Sequence, residues 1–103
     1  ILEGAYFQPV ESTRVEIQLG GATLIEWVDV DAESPVVGQT LEAAMEQGIL
    51  DDDSLVIAIE RGEEVLTPHG RTTIEPDDVV TVLSRSGDVA GVLDAFTDAD
   101  PAQ

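Results

Sequence analysis

The residues best suited to chemistry lie close together in the stretch RGEEVLTPHGRTTIEPDDVV, at positions 61–80. This stretch holds His69, the only histidine of the chain. Histidine exchanges protons readily near neutral pH, so His69 is the first acid–base candidate. One histidine cannot build a multi-histidine metal site, and the chain has neither a cysteine nor a serine in a GxSxG frame. The composition Pro68-His69-Gly70 therefore favours a turn, with a role in lining a ligand site as the alternative.

Carboxylates cluster at two places, Asp51 to Asp53 and Asp77-Asp78. Carboxylate oxygens bind hard cations, but the residues after Asp51 lack the glycine and glutamate of a calcium loop. We therefore expect a solvated turn at this position, and specific binding of a divalent cation is the alternative. Asp77 and Asp78 are expected to lead into a strand, where adjacent side chains point to opposite faces and cannot form a paired-carboxylate site.

Two further side chains could recognise a ligand, and each has a structural explanation. Arg61 is expected to pair with Glu60, Glu63 or Glu64 in a surface contact worth about 1 kcal/mol or less. Recognition of an anionic ligand by Arg61 is the alternative. Trp27 could stack on a base or a sugar, but within an apolar strand it is expected in the core.

The charge of the chain is its most unusual property. The 103 residues include 22 acids, four arginines and no lysine, for a net charge of −18. So much like charge destabilises the compact state in dilute buffer, and salt screens it. The composition resembles that of proteins from salt-accumulating halophiles. Nucleic acid and anionic membrane surfaces are poor partners because both require clustered Lys and Arg.

Length and hydropathy indicate one domain without a membrane span. No apolar run approaches the roughly 18 residues that a membrane helix needs, and because the first residues show no charged-then-apolar pattern, we expect no signal peptide. The absence of cysteine excludes disulfides and thiolate metal sites. Because the sequence begins at Ile1 instead of Met, we expect a piece of a longer or processed chain.

Hydrophobic periodicity predicts a small, mostly antiparallel sheet of four to five strands with two short helices on one face. We expect one helix capped by Thr40 and ended by Gly48, and a closing helix capped by Ser86 that extends to Phe96. The predicted strands are 15–19, 24–30, 55–59, 63–66 and 79–83.

Two of the predicted strands, LVIAI at 55–59 and VVTVL at 79–83, are continuously apolar. Such strands usually have cover on both faces of their sheet. Two short helices cover only one face, so we expect a second copy of the chain to cover the other, as in a two-fold dimer. A lone domain with small apolar residues on an open face is the alternative.

The order of these parts resembles the TrkA C-terminal (RCK_C) domain. The resemblance covers LIEWVDVDAESPVVGQTL, a short helix, SLVIAIERGEEVLTPHGRTTIEPDDVVTVL and the closing helix, with Ile59-Glu60-Arg61-Gly62 as its most specific part. It implies a dimeric α+β regulatory domain of potassium channels, potassium uptake systems or other ion transporters, and no enzyme. It divides the chain into a linker with a leading strand (1–20), the domain itself (21–97) and an acidic tail (98–103).

The resemblance also implies a ligand site at or near the dimer interface. In some members the ligand is cyclic di-AMP, held by residues that correspond here to Glu42 to Ala44, Ser54-Leu55 and Pro68-His69. The basic residue that helps to hold phosphate in those members falls near Ala44, and the acids Glu42 and Glu46 are close by. A dianionic ligand is therefore disfavoured relative to a cation, another metabolite or no ligand at all.

The expected function is a ligand-sensing and dimerising module of a cation transport system, most simply one for potassium. A purely structural dimerisation domain without a ligand is the alternative, and an orphan enzyme around His69 is the third hypothesis. The expected partners are a second copy, a membrane transporter or channel subunit, and a companion nucleotide-binding (RCK N-terminal) lobe. The domain is expected at the cytoplasmic face of the membrane without inserting into it, and the sequence identifies no cofactor.

Overall fold

The computed structural model describes residues 14–97, which form one antiparallel sheet and two helices. Helix α1 (Leu41–Glu46) follows the second strand and helix α2 (Val89–Phe96) follows the last. The α+β class and the antiparallel sheet confirm the prediction, whereas most of the expected linker and the acidic tail lie outside the described residues. The strands are β1 (Val15–Leu19), β2 (Ala22–Asp29), β3 (Ser54–Arg61), β4 (Glu64–Leu66) and β5 (Val79–Ser84).

The strands lie in the order β1-β2-β5-β3-β4, with every neighbouring pair antiparallel. Two-residue turns join β1 to β2 and β3 to β4, and each places a glycine, Gly20 or Gly62, at a positive φ. The last strand, β5, lies in the middle of the sheet between β2 and β3. Both edges of β5 are therefore hydrogen-bonded to the two longest strands, β2 and β3.

Two β-bulges set which side chains face the core. The register between β2 and β5 shifts between Ile25 and Val28, and the register between β3 and β5 shifts between Val56 and Ala58. Each extra residue reverses the alternation of side chains, so that residues three apart face the same side. Ile25 and Val28 are consequently both buried in the core, as are Val56 and Ile59.

Both helices cover the same face of the sheet, as predicted. Leu41 and Ala44 of α1 and Val92 and Phe96 of α2 belong to one buried cluster with the inward residues of the central strands. The opposite face is apolar but open within residues 14–97: Ile17 is 40% exposed and Leu55 is 57% exposed. We call this the open face, and one row across it consists of Ile17, Leu24, Leu83 and Leu55.

The predicted N-terminal cap is confirmed for helix α1 and is wrong for helix α2. Thr40 caps α1, since its Oγ1 accepts a hydrogen bond from the N–H of Ala43 at 3.1 Å. The cap of α2 is Asp88, whose Oδ1 accepts from the N–H of Gly91 at 3.0 Å, and the prediction of Ser86 was wrong. Ser86 instead accepts from the N–H of Asp88 in the preceding turn. No helix within residues 14–97 has the length and hydropathy to cross a membrane.

The prediction that Trp27 lies in the core was also wrong. Trp27 is 49% exposed and has a φ of 62°. It occupies the β2 bulge, where the extra residue is displaced from the inward-facing set that Ile25 and Val28 complete. A bulge is a tertiary feature, and a strand period alone does not reveal it.

Candidate ligand-binding site

A cavity with a volume of about 810 Å³ is lined by several of the predicted site residues. It lies between α1, the first residues of β3 and the loop that precedes β5. Its lining combines apolar and charged side chains. The lining residues are Leu41, Glu42, Met45, Glu46, Leu50, Ser54, Leu55, Val56, Pro68, His69, Gly70 and Arg71.

Two walls of this cavity are joined by main-chain hydrogen bonds. The N–H of Leu41 donates to the carbonyl of Thr72 at 3.0 Å, and the N–H of Glu42 donates to the carbonyl of Gly70 at 2.8 Å. The first amides of a helix have no acceptor within the helix itself, so the loop satisfies donors that would otherwise need water. Helix α1 and the loop therefore form one preorganised unit.

Arg61 anchors the other end of the loop. Its Nε donates to Asp78 Oδ1 at 2.9 Å and its Nη2 donates to Asp78 Oδ2 at 2.8 Å, a two-pronged pair. The same Nη2 donates to the carbonyl of Thr73 at 2.9 Å, and Nη1 lies 3.3 Å from a carboxylate oxygen of Glu75. We call this group of four residues the Arg61 clasp; it ties β3 to the loop and to the start of β5.

The Arg61 clasp corrects the expectation of a surface pair with a neighbouring glutamate. Asp78 is 1% exposed, so the pair has a buried acid. Burial raises the pKa of Asp78, but the hydrogen bond from Arg61, the hydrogen bond from the N–H of Glu75 and the charge of Arg61 lower it below its ordinary value. The hydrogen bond to Asp78 likewise raises the pKa of Arg61, against a smaller opposing effect of burial. Asp78 is accordingly ionised at neutral pH.

The predicted site residues do not all lie at the cavity. Glu42, Ser54, Leu55, Pro68 and His69 line it. Ala44 is fully buried in the core, and Arg61 is directed to its clasp. The structure thus brings five of the seven residues together.

Sequence reasoning missed Arg71 and most of the apolar lining. Arg71 lies at the cavity, and no carboxylate among residues 14–97 is within ion-pair distance of it. Met45 also lines the cavity and is 40% exposed there. Nothing in the sequence pattern around either residue indicated a cavity.

His69 is held in its turn by three hydrogen bonds. Its ring Nδ1 accepts from the N–H of Arg71 at 3.1 Å, its main-chain N–H donates to Thr72 Oγ1 at 3.0 Å, and its carbonyl accepts from the N–H of Thr72 at 3.0 Å. Because Nδ1 is an acceptor, the proton of the neutral ring is on Nε2. The side chain is therefore oriented at the cavity wall by its own turn.

The Asp51 to Asp53 cluster is engaged within its own turn. Asp51 Oδ1 accepts from the N–H of Asp53 at 3.0 Å and from Ser54 Oγ at 2.9 Å, while Asp53 lies 3.6 Å from Arg85. Within residues 14–97, no group of three or more potential metal ligands is placed to hold an ion. Binding of a divalent cation at Asp51 to Asp53 therefore gains no support.

The domain is therefore a small α+β domain with a five-stranded antiparallel sheet, two helices on one face of the sheet and a cavity beside the first helix. The family model of the TrkA-C domain matches residues 25–97, so the chain belongs to the TrkA-C domain family. TrkA-C domains are regulatory domains of potassium transport systems. Comparison with curated proteins gives no significant match.

Proposed function

We propose that this domain is the ligand-sensing and dimerising regulatory module of a cation transport system, most simply a potassium channel or uptake system. It acts at the cytoplasmic face of the membrane through an attached transporter subunit or a companion nucleotide-binding lobe. The observation that carries the proposal is the position of Leu55. This residue lines the cavity and also belongs to the open face of the sheet.

The position of Leu55 gives a physical route from ligand to assembly. A ligand in the cavity contacts the same side chain that a partner on the open face would bury. A ligand shifts an equilibrium between two arrangements only through a difference in its affinity for them. Contact with a shared residue supplies such a difference, because the surroundings of Leu55 change with the arrangement.

The open face supports dimerisation through its own composition. Its cross-sheet row of one isoleucine and three leucines adjoins Ile57, which is 42% exposed. Contiguous exposed apolar surface on a soluble domain marks an interaction site. A second copy provides a matching surface without a separate gene product, and most soluble homo-oligomers are two-fold dimers.

The cavity lining indicates the class of ligand. Glu42 and Glu46 repel a dianion, and Arg71 supplies a single guanidinium from the loop. Leu41, Met45 and Leu50 offer apolar contact. The combination favours a cation or a small metabolite with an apolar part over a doubly charged nucleotide.

A thermal-shift panel at fixed ionic strength tests ligand sensing. Potassium, divalent cations, nucleotides and cationic metabolites are added to the wild type, to Arg71→Ala in the cavity and to Arg85→Ala as a control outside it. We expect at least one ligand to raise the melting temperature of the wild type and of Arg85→Ala by the same amount. The shift in Arg71→Ala should be larger for a cation, because a repelling charge has been removed, and smaller for a metabolite with an anionic group that Arg71 contacts. An equal shift in all three proteins would place the ligand elsewhere.

A structural dimerisation domain without a ligand is the second candidate, and the open face favours it as strongly as it favours the first. Its apolar row needs cover whether or not the cavity is occupied. The panel separates the two candidates, since a purely structural domain shows no ligand-specific shift under any condition.

A further inference from the structure

Trp27 occupies an unfavourable position for its size. It is the only tryptophan of the chain, it is 49% exposed and its φ is 62°. Bulky residues rarely adopt a positive φ, because the left-handed region brings Cβ close to the following carbonyl oxygen. Glycine or asparagine would adopt this conformation more easily.

The fold accounts for the backbone conformation at Trp27 but not for the large aromatic side chain at this position. The bulge is needed because it directs both Ile25 and Val28 into the core. A small residue at position 27 would satisfy that need and expose less apolar surface. A large aromatic side chain held outward at a strained position therefore indicates a contact beyond residues 14–97.

The surroundings of Trp27 locate this contact. A hollow of about 160 Å³ is lined by Trp27, Val28, Leu93 and Asp29 together with Arg14 and Thr97. Arg14 and Thr97 are the first and the last residues that the structure describes. The chain thus enters the domain at the rim of this hollow.

The segment that precedes Arg14 has the composition to fill the hollow. The chain has four aromatic residues: Phe96 is buried in the core, Trp27 is half exposed, and Tyr6 and Phe7 lie in residues 1–13. Six residues lie between Phe7 and Arg14, and the seven steps from one Cα to the next allow a span of up to about 24 Å. A tethered segment also has a high effective concentration at a nearby surface.

We infer that residues 1–13 dock on the domain by placing Tyr6 and Phe7 against Trp27 and Leu93. Aromatic rings pack on a half-exposed indole in offset or edge-to-face geometry, and Leu93 extends the apolar floor. This contact lies apart from the cavity at α1, since the two share no lining residue. The docked segment fixes the direction from which any preceding part of the protein approaches the domain.

Trp27 fluorescence tests this docking directly, because every tryptophan signal comes from one site. The full chain in molar KCl is titrated with acrylamide, a neutral quencher that the acidic surface does not repel. The test variant is Tyr6→Ala with Phe7→Ala, and the matched control is Glu3→Gln with Glu11→Gln in the same segment. Circular dichroism checks that all three proteins keep the same fold.

We expect the quenching constant to rise about two-fold and the emission to shift to the red in the aromatic variant alone, since quenching follows the accessible area of the ring. Equal quenching in all three proteins would overturn the inference. So would quenching that depends on protein concentration but not on Tyr6 and Phe7, because a second copy would then cover Trp27. Neither result depends on ligand binding at the cavity.

Discussion

The two faces of the sheet contain similar amino acids but differ in what covers them. On the covered face, the side chains of Ile25, Ile59, Val80 and Val82 are fully buried under the two helices. On the open face, Leu55 and Ile57 belong to the same apolar strand as Ile59 and are largely exposed. Hydrophobicity alone therefore does not determine which residues stabilise the isolated domain and which are available to a partner.

The acidic side chains also differ between the interior of the domain and its surface. Asp78 is the one buried acid among residues 14–97, and its charge is compensated by Arg61 and by the N–H of Glu75. The other described acids are on the surface, where they repel each other and interact with salt. The stability of the interior thus depends on how well the charge of Asp78 is compensated, whereas the repulsion among the surface acids depends on the salt in the solvent.

The largest effect is expected for a cavity cut into the covered face. Phe96→Ala removes a fully buried ring and should lower the free energy of unfolding by about 3–5 kcal/mol. Val65→Ala on the opposite side, where the residue is 68% exposed, should change it by less than about 1 kcal/mol. Denaturant unfolding in molar KCl measures both values. Similar losses in the two variants would contradict the contrast between the faces.

The next largest effect concerns the Arg61 clasp. Arg61→Ala leaves the Asp78 carboxylate buried without a cation and should cost about 2–4 kcal/mol. Arg61→Lys keeps the charge but loses the two-pronged geometry, so its loss should be intermediate. Arg85→Ala breaks an exposed pair at 3.6 Å and should cost about 1 kcal/mol or less. Equal losses for Arg61→Ala and Arg85→Ala would show that the clasp is not a buried pair in solution.

Most strands and both helices could be predicted from local patterns, because turns and periods act over a few residues. The features that sequence reasoning missed are tertiary. Arg61 pairs with an acid 17 positions away, whereas the sequence suggested its immediate neighbours. The exposure of Trp27 follows from a bulge that only the register with β5 reveals.

The candidate site likewise contains some residues that could be predicted from the sequence and others that could not. The resemblance to a known family directed attention to Glu42, Ser54 and His69, which lie at the cavity. The burial of Ala44 was not predictable from that resemblance, because it depends on how helix α1 packs on the core. Arg71 is brought to the cavity by the loop conformation, which no short motif encodes.

Salt should act on the exposed acids and much less on the buried pair. Raising KCl from about 0.1 M to about 2 M shortens the screening length from about 10 Å to below about 3 Å and reduces the repulsion of the −18 charge. We expect the melting temperature to rise by several degrees in the wild type and in Arg85→Ala alike. Equal melting temperatures at the two salt concentrations would contradict the interpretation of the acids as a salt-adapted surface.

The smallest effect is the pH dependence that belongs to Asp78. Because its pKa is lowered on folding, its contribution is present above the unfolded value of about 3.9 and is lost as pH falls through the folded value. The difference in free energy of unfolding between the wild type and Asp78→Asn should therefore shrink below about pH 4. Comparing the two proteins cancels the protonation of surface acids that they share. A difference that stays constant down to about pH 2 would contradict a lowered pKa.

The molecular mass in molar KCl tests most directly whether the open face is an interface. Light scattering should report about twice the 10.9 kDa of one chain for the wild type and for Ala90→Gln, a control on the exposed side of α2. Leu55→Gln, which places a polar group in the apolar row, should shift the mass toward 10.9 kDa at the same concentration. A wild-type mass of 10.9 kDa at every concentration would contradict the assignment of the open face as an interface.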